Sequence, residues 1–167
     1  MLKSRNFILA LVAAGALAFA AFAFLGDTQE APQVTFVSLQ GEKITTADLR
    51  GQVVLVNFWA TDCVICVREM PQITATYQKY RERGFETIAV AMKYDPPNYV
   101  LNYVEKNRLP FKVALDPMGE LARAFGEVRQ TPTTFIIDRQ GRLVQRIVGE
   151  PDFARLHALL EEKLKET

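Results

Sequence analysis

Very little in this chain can hold a metal. Its 167 residues include two cysteines and one histidine, whereas a structural zinc site closes on four nitrogen or sulfur ligands. Copper delivery is disfavoured on similar grounds, since it wants further thiolate, thioether or imidazole groups beside the cysteines. Surplus charge is missing too. The 20 Lys and Arg stand against 19 Asp and Glu, which leaves no electrostatic footprint for a nucleic-acid partner. There is no internal repeat and no low-complexity segment. The length suits one domain of roughly 100 to 150 residues with an appendage, and a second full domain is not expected. A hydrophobic content of 49% is enough to fill a core.

What is present begins with a greasy start. Lys3 and Arg5 precede an uncharged apolar run from Phe7 to Leu25, 19 residues long. At about 1.5 Å per residue a helix of that length nearly spans a hydrocarbon core of ~30 Å. The two cations belong on the cytoplasmic side, which sends everything after Leu25 across the membrane. A cleaved signal peptide is the rival reading, with Ala18-Phe19-Ala20 or Ala21-Phe22-Ala23 as cutting sites. A retained anchor over 1–25 is favoured, because a signal peptide's apolar region usually runs about 7 to 15 residues. No cysteine follows the run to take a lipid. Either way the rest of the chain faces an oxidising compartment, where a cysteine pair tends to become a disulfide unless something reduces it.

Residues 26–33, "GDTQEAPQ", are polar with one proline and read as a tether, so the folded part is expected over 34–167. "VTFVSLQGEKITTADLRG" offers two short β-prone runs around Gln40-Gly41, a small hairpin. "VVLVNF", Val53 to Phe58, reads as a central strand covered on both faces. Val64 to about Arg83 reads as a helix stopped by Gly84, with Pro71 inside it and Ile65, Ile73 and Tyr77 among its buried candidates. Then "FETIAVAM" is a strand, "YVLNYVEKNR" a helix, "FKVAL" a strand and "GELARAF" a short helix. "TTFIID" and "LVQRIVG" flank "RQG", a hairpin signal. "DFARLHALLEEKLKE" is an amphipathic helix with an acidic start, and its His157 reads as a surface or partly packed side chain. Strands alternating with helices and ending in a hairpin indicate an α/β fold, a central mixed sheet flanked by helices with an N-terminal hairpin and an N-terminal transmembrane or signal segment.

Both cysteines lie in "NFWATDCVICVREMP", where the central strand ends and a helix begins. There Cys63 would meet unpaired backbone N–H groups and the positive end of the helix dipole, which favour thiolate over thiol. Thiols so placed have pKa values of about 3.5 to 7.5 instead of ~8.5, and the thiolate is the attacking species. Cys66, one turn on, is close enough to close a disulfide and resolve a mixed one. The bland alternative is a structural disulfide, but closing so short a loop constrains the unfolded chain far less than the ~3 kcal/mol of a 15-residue loop. "KYDPPNYV", Lys93 to Val100, separates a strand from the next helix. It either shapes partner choice or uses Pro96-Pro97 to start the helix. Arg68 and Lys93 read as surface charges that lie near the site or simply face water.

"VVLVNFWATDCVICVREMP", together with "TPTTFIIDRQGRLV" further along, resembles the thioredoxin-like superfamily, and within it the membrane-tethered TlpA/ResA-type thiol–disulfide oxidoreductases. The likeness covers nearly everything from Val34 onward. It implies that Cys63 is the exposed nucleophile and Cys66 the buried resolving thiol, with Trp59 walling the site and Pro71 the proline of the active-site helix. It implies a cis-proline at Pro132 against the cysteines, and Thr131 presenting backbone to the substrate chain. Glu69 sits where such proteins carry a carboxylate near the buried thiol. A partly desolvated group there holds a raised pKa and takes the proton from Cys66; a solvated helix glutamate is the alternative. Asn57 replaces the buried aspartate of thioredoxin itself, which leaves Glu69 as the proton carrier.

The function so implied is an extracytoplasmic enzyme that reduces protein disulfides, apocytochrome c being one family substrate. It needs no bound cofactor but does need a membrane thiol electron donor. An oxidant or isomerase of disulfides is the alternative in the same class, and a non-catalytic binding or chaperone module on the same fold is the alternative outside it. A peroxidase is disfavoured because its Pro-x-x-x-Thr-x-x-Cys pattern is absent. Two positions depart from the family: Asp62 stands where an aromatic is usual, and Ile65 where a proline is common. An anion before Cys63 opposes its thiolate, and Ile65 keeps a backbone N–H that proline lacks. The pair is therefore expected to be more reducing than a typical oxidant of the compartment. Equilibration against glutathione tests this, and a potential near about −120 mV, that of a strong oxidant, would contradict it.

Overall fold

The computed structural model describes residues 29–166. The expected anchor, 1–25, lies outside the described residues, and among those described no helix is long and apolar enough to cross a membrane. Of the stretch read as a tether, residues 29–33 touch the domain. Gln29 accepts a hydrogen bond from the Leu143 N–H at 2.7 Å, Ala31 donates to Gly141 at 2.9 Å, and Ala31 is buried.

Two strands, β1 (Thr35–Val37) and β2 (Lys43–Thr45), form the small antiparallel hairpin. The main sheet has five strands in the order β5-β4-β3-β6-β7. These are β3 (Val53–Trp59), β4 (Phe85–Ala91), β5 (Lys112–Leu115), β6 (Thr133–Ile137) and β7 (Leu143–Val148). Strands β3, β4 and β5 run parallel, while β6 pairs antiparallel with β3 and with β7, so the sheet is mixed as the sequence implies. Among the described residues four α-helices connect or follow them: α1 (Val64–Tyr80), α2 (Pro97–Asn107), α3 (Glu120–Ala124) and α4 (Phe153–Lys163).

All seven residues of β3 are buried. The reason is visible in its side chains, which are apolar on both faces except for Asn57. Val54, Val56 and Phe58 pack with Phe36 of the hairpin, Phe125 and Phe135. Val53 and Leu55 meet Tyr80 of α1 and Leu156 and Leu160 of α4 on the other face. Further along that face, Trp59 joins Cys66, Met70 and Ile73 of α1, with Val100 of α2.

The helix boundaries follow local chemistry. Helix α1 ends at Tyr80, a 3-10 turn carries the chain through Arg81–Arg83, and Gly84 reverses it at φ 85°, a conformation that favours glycine. Pro97 opens α2 at its first turn, where a missing N–H costs nothing, so Pro96-Pro97 does serve as a helix start. The Asp152 carboxylate accepts hydrogen bonds from the N–H groups of Ala154 and Arg155 and caps α4.

One sequence expectation fails. Ile65 was expected among the buried residues of its helix, yet it is 40% exposed. The buried stripe of α1 runs through Cys66, Glu69, Met70, Ile73, Thr76 and Tyr80, and a residue one step before Cys66 is rotated about 100° off it.

Phe58 stacks edge-on against Phe125 at 5.4 Å and Phe135 at 5.8 Å. Phe58→Ala should therefore cost about 3 to 5 kcal/mol of folding free energy in urea denaturation of the oxidised protein. A loss below about 1 kcal/mol would mean that this cluster does not hold the sheet to its cover.

Candidate active site

The end of β3 and the start of α1 place the cysteines. Cys63 is the N-cap residue, with an extended backbone, and its sulfur accepts the Cys66 N–H at 3.2 Å. The pair is joined as a disulfide with Cα atoms 5.2 Å apart. Cys63 is partly exposed, whereas Cys66 is buried. Of the two sulfurs, Cys63 is the one a partner can reach, and it sits at the N-terminus of a helix whose dipole stabilises negative charge.

The loop before Cys63 is fastened from the side. Asp95, buried just after β4, accepts the Thr61 N–H and the Thr61 hydroxyl, both at 2.6 Å. Next to it the Tyr94 hydroxyl lies 3.3 Å from the Thr131 hydroxyl. The Thr131-Pro132 bond is cis. Residues 94 and 95 thus contact both the cysteine loop and the cis-proline loop.

Beneath the cysteines lies an unusual polar site in an apolar layer. Glu69 is fully buried, and its Oε1 accepts a hydrogen bond from the Asn57 side-chain amide at 3.0 Å. The same amide nitrogen donates to the Thr134 hydroxyl at 3.0 Å. Strand register explains the meeting, because Asn57 and Thr134 are direct neighbours across β3 and β6. Among the described residues Glu69 Oε2 and Asn57 Oδ1 have no hydrogen-bond partner. Loss of hydration pushes the Glu69 carboxyl up to about 7; the Asn57 hydrogen bond opposes that rise, the nearby Glu150 charge adds to it, and Arg68 opposes it. Arg68 forms an ion pair with Glu150 at the surface.

The remaining residues singled out in the sequence are accounted for. Trp59 is completely buried, its indole 5.1 Å from the Tyr103 ring and its N–H unpartnered. Asp62 and Ile65 are exposed on either side of Cys63, Pro71 lies within α1, and Lys93 is exposed. His157 is in α4, where its Nε2 lies 2.9 Å from the Thr76 hydroxyl, far from a ligand cluster of any kind. Among the described residues no group of His, Cys, Asp and Glu is arranged to hold a metal. Sequence reasoning missed Asp95 and Thr134. The buried acid lies in the loop before Pro96-Pro97, but the group it bonds is 34 positions away, and nothing local announces Thr134.

Comparisons with known proteins point one way. Residues 26–160 match the Redoxin family. A thiol-disulfide oxidoreductase, ResA, from Bacillus thuringiensis subsp. konkukian is 37% identical over 134 residues, covering 80% of this chain and 76% of that protein. The ResA of Bacillus anthracis is 35% identical over 162 residues, covering 93% of this chain and 92% of that one. The crystal structure of a thiol:disulfide interchange protein of the thioredoxin family from Chlorobium tepidum superposes with a TM-score of 0.76 at 28% identity, covering 83% of this chain and 98% of that chain.

The raised carboxyl gives a signed pH dependence. Folded Glu69 keeps its proton to about pH 7, while the unfolded chain releases it near 4.5. Its contribution to stability is whole below the lower value and is lost as pH rises through the higher one. Glu69→Gln removes this slope, so its melting temperature should gain on the parent's between about pH 4.5 and 7 and level off above that, both proteins being oxidised. Parallel curves would mean that the carboxyl is not held protonated.

Proposed function

The chain belongs to the Redoxin family of thioredoxin-like proteins, and from that membership and the site's geometry we propose that it is a thiol–disulfide oxidoreductase acting through Cys63 and Cys66. The observation that carries the reading is the pairing of one reachable and one buried sulfur at the start of α1, above a carboxyl poised near neutrality.

In the reducing direction the Cys63 thiolate attacks one sulfur of a partner disulfide. A mixed disulfide forms, and the partner's other sulfur leaves as thiolate. Cys66, deprotonated, then attacks the Cys63 sulfur, closing the disulfide present in the structure and releasing the partner's second thiolate. Two electrons pass to the partner, which also takes up two protons. Glu69 follows Cys66 by three positions on the same face of α1. With its carboxyl titrating near 7 it accepts the Cys66 proton when that thiol must become a nucleophile. Asn57 orients the acceptor oxygen through its hydrogen bond. Pro132 and Thr131 present the partner's backbone with an adjoining strand, and Trp59 supports the buried sulfur from behind.

The reducing direction is supported by Asp62, an exposed anion beside Cys63, and by Ile65 in place of a proline. Protein disulfides on the extracytoplasmic side are the proposed substrates, cytochrome c maturation among the uses. A membrane thiol carrier is the proposed electron donor, with residues 1–25 anchoring the domain, 34–167 forming it and 26–33 linking the two, the last five of these packed on the domain. The positive-charged, apolar start of the sequence supports that placement, and the redox balance needs no further cofactor.

Cys66→Ser should trap partners as stable mixed disulfides on Cys63, recoverable under non-reducing conditions and released by dithiothreitol. Cys63→Ser should trap nothing and should abolish insulin reduction. Turnover of insulin by Cys63→Ser would remove Cys63 from its proposed role.

A further inference from the structure

A cavity of about 370 Å3 opens beside the cis-proline loop. Its lining includes Lys93, Tyr94, Arg123, Glu127 and Arg129. Tyr94 belongs at once to this cavity and, through its hydroxyl at 3.3 Å, to the contact with Thr131. The cavity and the cis-proline loop are thus joined through one side chain.

The charge of this lining is out of keeping with the whole protein, which is balanced to within one charge. Three cations face one carboxylate. Among the described residues Lys93 has no ion-pair partner, and Arg123 spends a hydrogen bond on the Met118 carbonyl and not on a carboxylate. Only Arg129 has a counter-charge, Glu127 at 4.0 Å, with both side chains more than half exposed. A fourth cation, Arg146, lines the neighbouring cavity with Glu127 and Arg129 and donates to the Gly126 carbonyl. Two buried acids nearby in the sequence are already engaged: Asp95 bonds Thr61, and Asp116 accepts the N–H groups of Leu121 and Ala122. Positive charge is thus in excess in this lining, where Glu127 is the one carboxylate against Lys93, Arg123 and Arg129.

We propose that this cavity is a subsite of the redox centre that receives an acidic side chain of the partner polypeptide, close in sequence to the partner's reacting cysteine. The inference rests on the thiol–disulfide reading above. The occupant is a side chain near the reacting cysteine because Tyr94, which lines the cavity, also meets Thr131 of the cis-proline loop through its hydroxyl. Lys93 and Arg129 draw that carboxylate in, and Tyr94 carries the partner from the loop to the charges. Such attraction between exposed groups acts chiefly on the rate of encounter and weakens with salt.

The test uses the reduced protein and three peptides that share one internal disulfide and differ only in flanking residues, Glu, Gln or Lys. Reduction is followed by acid quench and chromatography at low ionic strength. The Glu peptide should be reduced about tenfold faster than the Lys peptide, and added salt should narrow the gap. The double variant Lys93→Glu with Arg129→Glu should invert the order, Lys93→Ala alone should shrink the ratio, and Lys106→Glu on α2 should leave the ratio as it was. Equal rates for the three peptides, or an order unmoved by the double variant, overturn the subsite while leaving the redox reading intact. Failure to reduce any of the peptides or the uncharged hydroxyethyl disulfide overturns the redox reading and the subsite with it.

Discussion

A carboxyl stripped of water must find its partners inside the fold, and the site is organised around how incompletely Glu69 does so. One oxygen receives the Asn57 amide and the other receives nothing. That arrangement requires Asn57 to point from the helix-covered face of β3, Thr134 to stand opposite it on β6, and α1 to turn Glu69 inward just below Cys66. A single hydrogen bond orients the group and opposes the rise in its pKa, while loss of hydration keeps its affinity for a proton high. The cost in stability is tolerated because a carboxyl that can change its charge near neutrality is useful beside a thiol that must change its own.

The strand and helix order was legible because burial leaves a plain trace in composition. Val53 to Phe58 can only be comfortable with cover on both sides, and it is central. The cysteine positions were equally legible, since the chain has only two and both fall at a strand-to-helix junction. The resemblance supplied Pro132 as a cis residue, which the structure has, and no local pattern would have done so. Ile65 was misread because hydrophobicity was allowed to decide a question of helical angle; Cys66, Glu69, Met70 and Ile73 set the inward stripe, and Ile65 falls beside it.

What remained hidden depends on contacts between distant parts of the chain. Asp95 looked like an ordinary residue of a proline-rich loop until its two hydrogen bonds to Thr61 were seen. Thr134 looked like a strand residue with no special task until strand register set it opposite Asn57. The basic flank escaped notice for a related reason. Lys93, Arg123, Arg129 and Arg146 come from four separate segments, and a near-neutral total gives no hint that folding gathers them.

The placement of Trp59 has a practical side. It is the protein's one tryptophan, and it packs in the same buried cluster as Cys66, shut off from solvent. Indole emission responds to the polarizability and quenching power of its immediate neighbours, and the neighbour that changes in each round is a sulfur. A change of Trp59 emission between the oxidised and reduced protein would report the state of Cys66 without a label and without disturbing the surface that partners meet.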